Sequence, residues 1–285
     1  MDKPKYDYVL LDMNVPEHVT NFDQLFVNES NAANDTAENL YNNSFQQFER
    51  TPPEETKKAI SGPRPTSFIV VALTPSGDNS YQIPIGFAQA DLLAGASDSR
   101  QTVLLAYLAN TLGNRNRAQF ENVEIDRLVG GALTAAFSAA YERKQVAEVI
   151  LGEVNNPAYF YAPGHPAEGK SEDRIDPLRR LRMYRQAPFR AQVIQNFHYF
   201  MPDLTGKKLE PDGRLLLVIC RGEFDPLTQH LEVKTTNLTS TVHVQDVSAA
   251  LVDYYAACDQ PNHPRLAEML QQLDQIKREI EESIK

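Results

Sequence analysis

Apolar and polar positions along this chain change their period several times, and each change predicts an element. Residues 6–12 read as a first strand, followed by a polar, Asn-rich tract at 28–43 and a Pro-containing tract at 51–66 that short helices are expected to interrupt. Three further strands are predicted in quick succession, at 67–73, 83–91 and 102–109, separated by turn-rich pieces such as Pro75-Ser76-Gly77-Asp78-Asn79. That spacing predicts an antiparallel meander. The period then lengthens: Leu133, Ala136, Phe137, Ala140 and Tyr141 fall on one face of a helix that starts at Gly130 or Gly131. The short branched run 146–154 is a strand buried on both faces, which closes a strand-helix-strand unit.

After an irregular stretch at 157–175, Asp176 and Pro177 supply an N-cap and a first-turn proline. Leu178, Leu181 and Tyr184 are expected to point inward from that helix, and Ala187-Pro188 stops it. Part of 189–199, then 214–220 and a shorter segment at 231–234, are the remaining strands, so the sheet is mixed. Helices follow at 247–257 and 265–284, the second carrying a stripe of Leu266, Leu270, Leu273, Ile276, Ile280 and Ile284. Such a stripe either packs back on its own chain or meets a second copy in a homodimer.

Composition narrows the class. The 285 residues are 42% hydrophobic and 23% charged, an ordinary globular balance. With 38 acidic against 28 basic side chains the net charge is −10, which argues against general binding to nucleic acid or an anionic membrane and requires any anionic ligand to be held locally. Cys220 and Cys258 are too few for a disulfide framework or a zinc site, so no metal is expected. The absence of a long apolar run and of a leader pattern predicts a cytoplasmic protein.

One segment carries candidate chemistry: Arg127-Leu128-Val129-Gly130-Gly131-Ala132-Leu133. Glycines just ahead of a helix leave backbone N–H groups and the positive helix end open to an anion, although Gly-Gly there also serves as a tight turn. A basic run, Arg179, Arg180, Arg182 and Arg185, reads either as a solvated helix face or as a contact for an anion.

Arg-x-x-Gly-x-Ala at a helix start, then a strand, then Leu181-Arg182-Met183-Tyr184-Arg185-Gln186-Ala187-Pro188-Phe189, resembles the acyl-CoA-binding core of the GNAT acetyltransferase family. The resemblance covers roughly residues 6–221, and its specific motifs occupy 127–132 and 184–189. It implies an α/β fold with a mostly antiparallel mixed sheet flanked by helices, an acyltransferase domain over 1–235 and a C-terminal helical extension over 236–285. It implies acetyl-CoA as co-substrate, with the amides of Leu128, Val129, Gly130, Gly131 and Ala132 on the pyrophosphate, assisted by the Arg127 side chain. The strand end Tyr107, Leu108, Ala109 is expected to pair with the pantetheine amides, beside Asn155 or Asn156. Tyr184 matches the tyrosine that protonates the departing thiolate, while its spacing also suits a core aromatic.

The resemblance implies an amine acceptor, on a small molecule or a peptide, which needs a general base. Glu153, at the end of the strand expected to face the cofactor helix, is the first candidate and Glu124 the second; His165 and His198 come after, and a structural salt bridge is the other use for Glu153. Pro188 stands where the family has glycine, the loop at 110–126 is long, and 157–175 reads as an insertion. Longer acyl donors, or CoA binding without catalysis, are the alternative uses of the same site.

Overall fold

A computed structural model describes residues 6–27, 41, 51–74, 82, 84–110, 124–161, 177–186, 189–202 and 215–284. The strands are β1 (Asp7–Leu10), β2 (Ser67–Leu73), β3 (Pro84–Ala94), β4 (Arg100–Asn110), β5 (Val146–Asn155), β6 (Gln192–Val193), β7 (Leu215–Asp225) and β8 (His230–Thr235). The helices are α1 (Pro16–Phe26), α2 (Pro53–Ile60), α3 (Ile125–Glu142), α4 (Pro157–Phe160), α5 (Pro177–Arg185), α6 (Thr241–Ala257) and α7 (Pro264–Ser283). Together they make an α/β fold on an open, mostly antiparallel sheet of order β1-β2-β3-β4-β5-β7-β6, with β8 on β7.

The chain divides into two compact units, one of residues 1–91 and 105–136, the other of 92–104 and 137–285. The C-terminal helices α6 and α7 fall in the same unit as β5 and β7. The reason is a polar anchor that spacing does not reveal. Asp246 of α6 is fully buried and takes the Arg100 guanidinium in two bonds, Nε to Oδ1 at 3.0 Å and one terminal nitrogen to Oδ2 at 2.7 Å. Its Oδ1 also accepts the Ala96 N–H, and Asp253 accepts the Ala94 N–H.

In the first unit, β2 pairs antiparallel with β1 (Val9 opposite Val71) and with β3 (Val70 opposite Ala88). All seven β2 residues are buried, as a strand covered on both faces must be. One core gathers Phe22, Leu25 and Phe26 of α1 with Tyr41, Ile60 of α2, Val71, Phe87 and Tyr107. Sequence patterning missed α1, although Pro16 at its first turn and Phe22, Leu25 and Phe26 at helical spacing mark it.

In the second unit β7 lies between β5 (Leu151 opposite Ile219) and β6 (Val193 opposite Val218), and β8 extends it. Only 192–193 of the expected 189–199 strand is extended pairing, because Arg190 and Asn196 both take positive φ, at 49° and 55°, and turn the chain. Leu178 is exposed rather than inward, while Leu181 and Tyr184 are buried. Leu266, Met269 and Leu273 of α7 are buried within this unit, so the first half of the apolar stripe packs on its own chain; Ile284 is exposed.

Candidate functional site

The glycine motif does not open its helix. α3 begins at Ile125, the Arg127 and Leu128 amides both bond to the Glu124 carbonyl, and Val129 to Ala132 lie inside the helix. The expected cradle of amides at Leu128, Val129, Gly130, Gly131 and Ala132 is therefore corrected: those groups are spent on helical bonds. In any helix the first amides lack intrahelical acceptors, which places the anion-attracting end at Ile125 and Asp126, about a turn earlier. Glu124 and Asp126 start the helix so early because carboxylates in and before the first turn suit its dipole. Leu128, Val129, Ala132 and Leu133 then form the buried face.

Gly131 has a packing duty instead, since a Cβ there would stand 3.1 Å from a Val70 methyl of β2, whereas Gly130 faces open space. Arg127 is exposed at 63% of its side chain, pairs with Glu124 at 2.5 Å and lies over the Tyr8 ring at 5.5 Å. The Tyr8 hydroxyl accepts the Glu124 N–H at 2.7 Å. An anion arriving here competes with Glu124 for Arg127.

Tyr107 is committed to the core of the first unit. Its hydroxyl accepts the Thr51 N–H and bonds the Thr51 hydroxyl, both at 3.0 Å, and its ring meets Tyr41 edge-on. Burial, with the neighbouring Tyr41, holds its phenol well above the usual range. Leu108 and Ala109 continue β4. Asp91, which patterning passed over, stands at the end of the β2 pairing with Ser67; burial pushes its carboxyl up to about 6 against the opposing hydrogen bonds of Ser67 and Gln89.

In the second unit, β5 and α5 hold further candidates. Tyr184 is 7% exposed, its ring stacked on Phe189 at 5.1 Å and pressed onto the backbone of β5. A Cβ at Gly152 would sit 2.9 Å from Tyr184 Cε1 and 3.3 Å from Val218. Gly152 is thus the residue that lets the ring approach. Gly152→Ala is expected to cost about 1–3 kcal/mol by overpacking, measured as a lower urea midpoint with unchanged slope.

Glu153 follows Gly152, so strand alternation sends it to the other face of β5. Phe137 of α3 meets Gly222 of β7, which is in step with Gly152 through the Gly152–Val218 pair, so Phe137 and Tyr184 share one face. Glu153 therefore points away from the face that Phe137 and Tyr184 share. Glu153 Oε1 instead accepts a hydrogen bond from the Tyr199 hydroxyl, a residue that sequence reading did not single out. Tyr199 is 3% exposed, and burial together with the Glu153 charge keeps its phenol protonated.

The remaining candidates divide. Asn155 ends β5 and is 1% exposed, while the Asn156 side chain caps α4 by accepting the Ala158 N–H at 3.0 Å. His198 is exposed and bonded through its backbone to Gln272. Arg182 and Arg185 are exposed on α5. His165, Pro188 and the greater part of the 110–126 and 157–175 loops lie outside the described residues, as do the side chains of Ala109, Arg179 and Arg180.

Among the described residues no group of three or more His, Cys, Asp and Glu could hold a metal ion. No described helix is long and apolar enough to cross a membrane. Neither Cys220 nor Cys258 forms a disulfide, and burial pushes the Cys220 thiol up to about 12. No protein-family model matches the chain, and no curated protein matches it in sequence.

Proposed function

We propose that the chain is a GNAT-type N-acyltransferase that carries an acyl group from acetyl-CoA to an amine by direct attack on the thioester. The observation that carries the reading is the pair of groups set on β5: Tyr184 against Gly152 on one face and Glu153 on the other. Acyl transfer needs a proton delivered to the leaving sulfur and one removed from the attacking nitrogen. In this reading Tyr184 supplies the acid and Glu153 the base, and both must come within reach of the one carbon that carries sulfur and nitrogen.

The order of elements supports the same reading, since β1 and helices precede the β2-β3-β4 meander, then α3, β5, α5, β6 and β7 follow as the resemblance requires. Diphosphate recognition takes a changed form. It falls to the first turn of α3 and to Arg127, which would exchange Glu124 for the diphosphate, rather than to the glycine amides.

Calorimetry with acetyl-CoA, followed by thiol release with a panel of polyamines, Lys-bearing peptides and simple primary amines, tests this. The expected result is saturable binding and CoA release that depends on at least one amine. Release with longer acyl donors alone would change the donor, and binding without release for any acceptor would favour a CoA-binding regulatory protein. Absence of CoA binding sinks the reading.

A further inference from the structure

We propose that the C-terminal helix pair serves the carboxylate of β5: α6 and α7 clamp residues 198–200 so that the Tyr199 hydroxyl is held on Glu153, which makes Tyr199 and Gln272 positioning residues. Its catalytic meaning rests on the acyltransferase reading, and its geometry does not.

Residues 197–200 belong to no strand, yet their side chains alternate in burial, with Phe197 and Tyr199 buried and His198 exposed, as in an extended segment. Extended backbone without a strand neighbour must find its hydrogen bonds elsewhere. Here the helices supply them. The Gln272 amide of α7 acts like a strand partner, its Oε1 accepting the His198 N–H at 2.6 Å and its Nε2 donating to the His198 carbonyl at 3.4 Å. Met269 Sδ accepts the Phe200 N–H at 3.4 Å, and the Tyr255 hydroxyl of α6 donates to the Phe200 carbonyl at 2.8 Å. The Arg265 guanidinium covers the Phe200 ring at 4.4 Å.

Bonds on both sides of Tyr199 thus hold its backbone, and from there its phenol donates to Glu153. A neutral donor facing an ionised carboxylate makes a charge-assisted bond, stronger in a site with little water. Tyr254 and Tyr255 of α6 are the further groups that face the Tyr199 phenol, and Tyr255 in turn faces Glu153, Cys258 and Arg265. Arg265 is itself paired with Glu268 at 2.9 Å. Tyr199 is therefore a polar contact through which the helices reach Glu153.

The test is the titration of the Glu153 carboxyl by carbon NMR in the full chain labelled on glutamate, with the signal assigned by its loss in Glu153→Gln. Tyr199→Phe keeps the ring and removes the donor, so the midpoint is expected to rise by about 1 pH unit. Gln272→Ala leaves both Tyr199 and Glu153 in place and is expected to raise it in the same direction by less, with wild-type circular dichroism. A midpoint unmoved in Tyr199→Phe overturns the pair; one that moves there and stays put in Gln272→Ala overturns the helix clamp.

Acyl transfer is then read separately. The acid limb of the pH–rate profile is expected to move with the titration. A shifted titration in a protein that transfers no acyl group removes the acyltransferase reading and leaves the clamp standing. A shifted titration with an unmoved limb overturns the role of Glu153 as base.

Discussion

Asp246→Ala is expected to lower the free energy of unfolding by about 3–5 kcal/mol, because it strands the Arg100 charge in a half-dry site. The Arg100 side chain is 18% exposed and that of Asp246 0%, and the pair is bidentate, so neither charge recovers its water when the other is removed. Glu148 also takes Arg100, at 2.8 Å, and would hold part of the charge, which sets the effect below that of a fully orphaned ion. Urea denaturation followed by circular dichroism checks it, and a loss under about 1 kcal/mol would show that solvent screens the pair. Replacing both residues together, Arg100→Met with Asp246→Leu, is expected to cost less than Asp246→Ala alone, since apolar groups of similar size need no counterion. The same network should weaken on acidification in two steps. Burial holds the His243 imidazole below its ordinary 6.5, so its contribution is complete above that pH and is lost as the pH falls through the folded midpoint. The Arg100 hydrogen bond holds Glu148 below its ordinary 4.5, and that contribution is lost at still lower pH.

These anchors mark the limit of what can be read from the chain alone. The run Ser67–Leu73 was legible to the residue because its apolar side chains are branched or aromatic and turn signals flank it. The meander, α5 and the two C-terminal helices followed from period in the same way. What failed were the places where one local signal outranked another. Gly130-Gly131 looked like the start of α3, yet Glu124 and Asp126 begin it earlier and Gly131 is there so that the helix can approach Val70. Long-range polar pairs leave no local trace at all: Arg100 and Asp246 stand 146 residues apart, and Tyr199 and Glu153 stand 46 apart. Tyr184 was legible as a candidate because a motif carried it. Tyr199 has no motif, and only the Phe197–Tyr199 alternation next to a Glu-bearing strand could have drawn attention to it.

Under the acyltransferase proposal, Tyr184→Phe is expected to lower acyl-transfer turnover by about 10²–10⁴-fold while leaving acetyl-CoA affinity within a few fold, the range that a positioned general acid supplies. The substitution is suited to the question because phenylalanine keeps what the structure shows the ring doing. The Tyr184 ring stacks on Phe189 and fills the space above Gly152, contacts that phenylalanine keeps. A phenol can give its proton to the thiolate as the thioester breaks, and phenylalanine cannot. Single-turnover measurement separates the step from product release. Gly152→Ala provides the contrast, since it displaces the ring with its hydroxyl intact and should lower stability and turnover together. If Tyr184→Phe leaves turnover unchanged while Gly152→Ala lowers it, the ring matters through packing alone, and the proton for the departing sulfur comes from another group or from water.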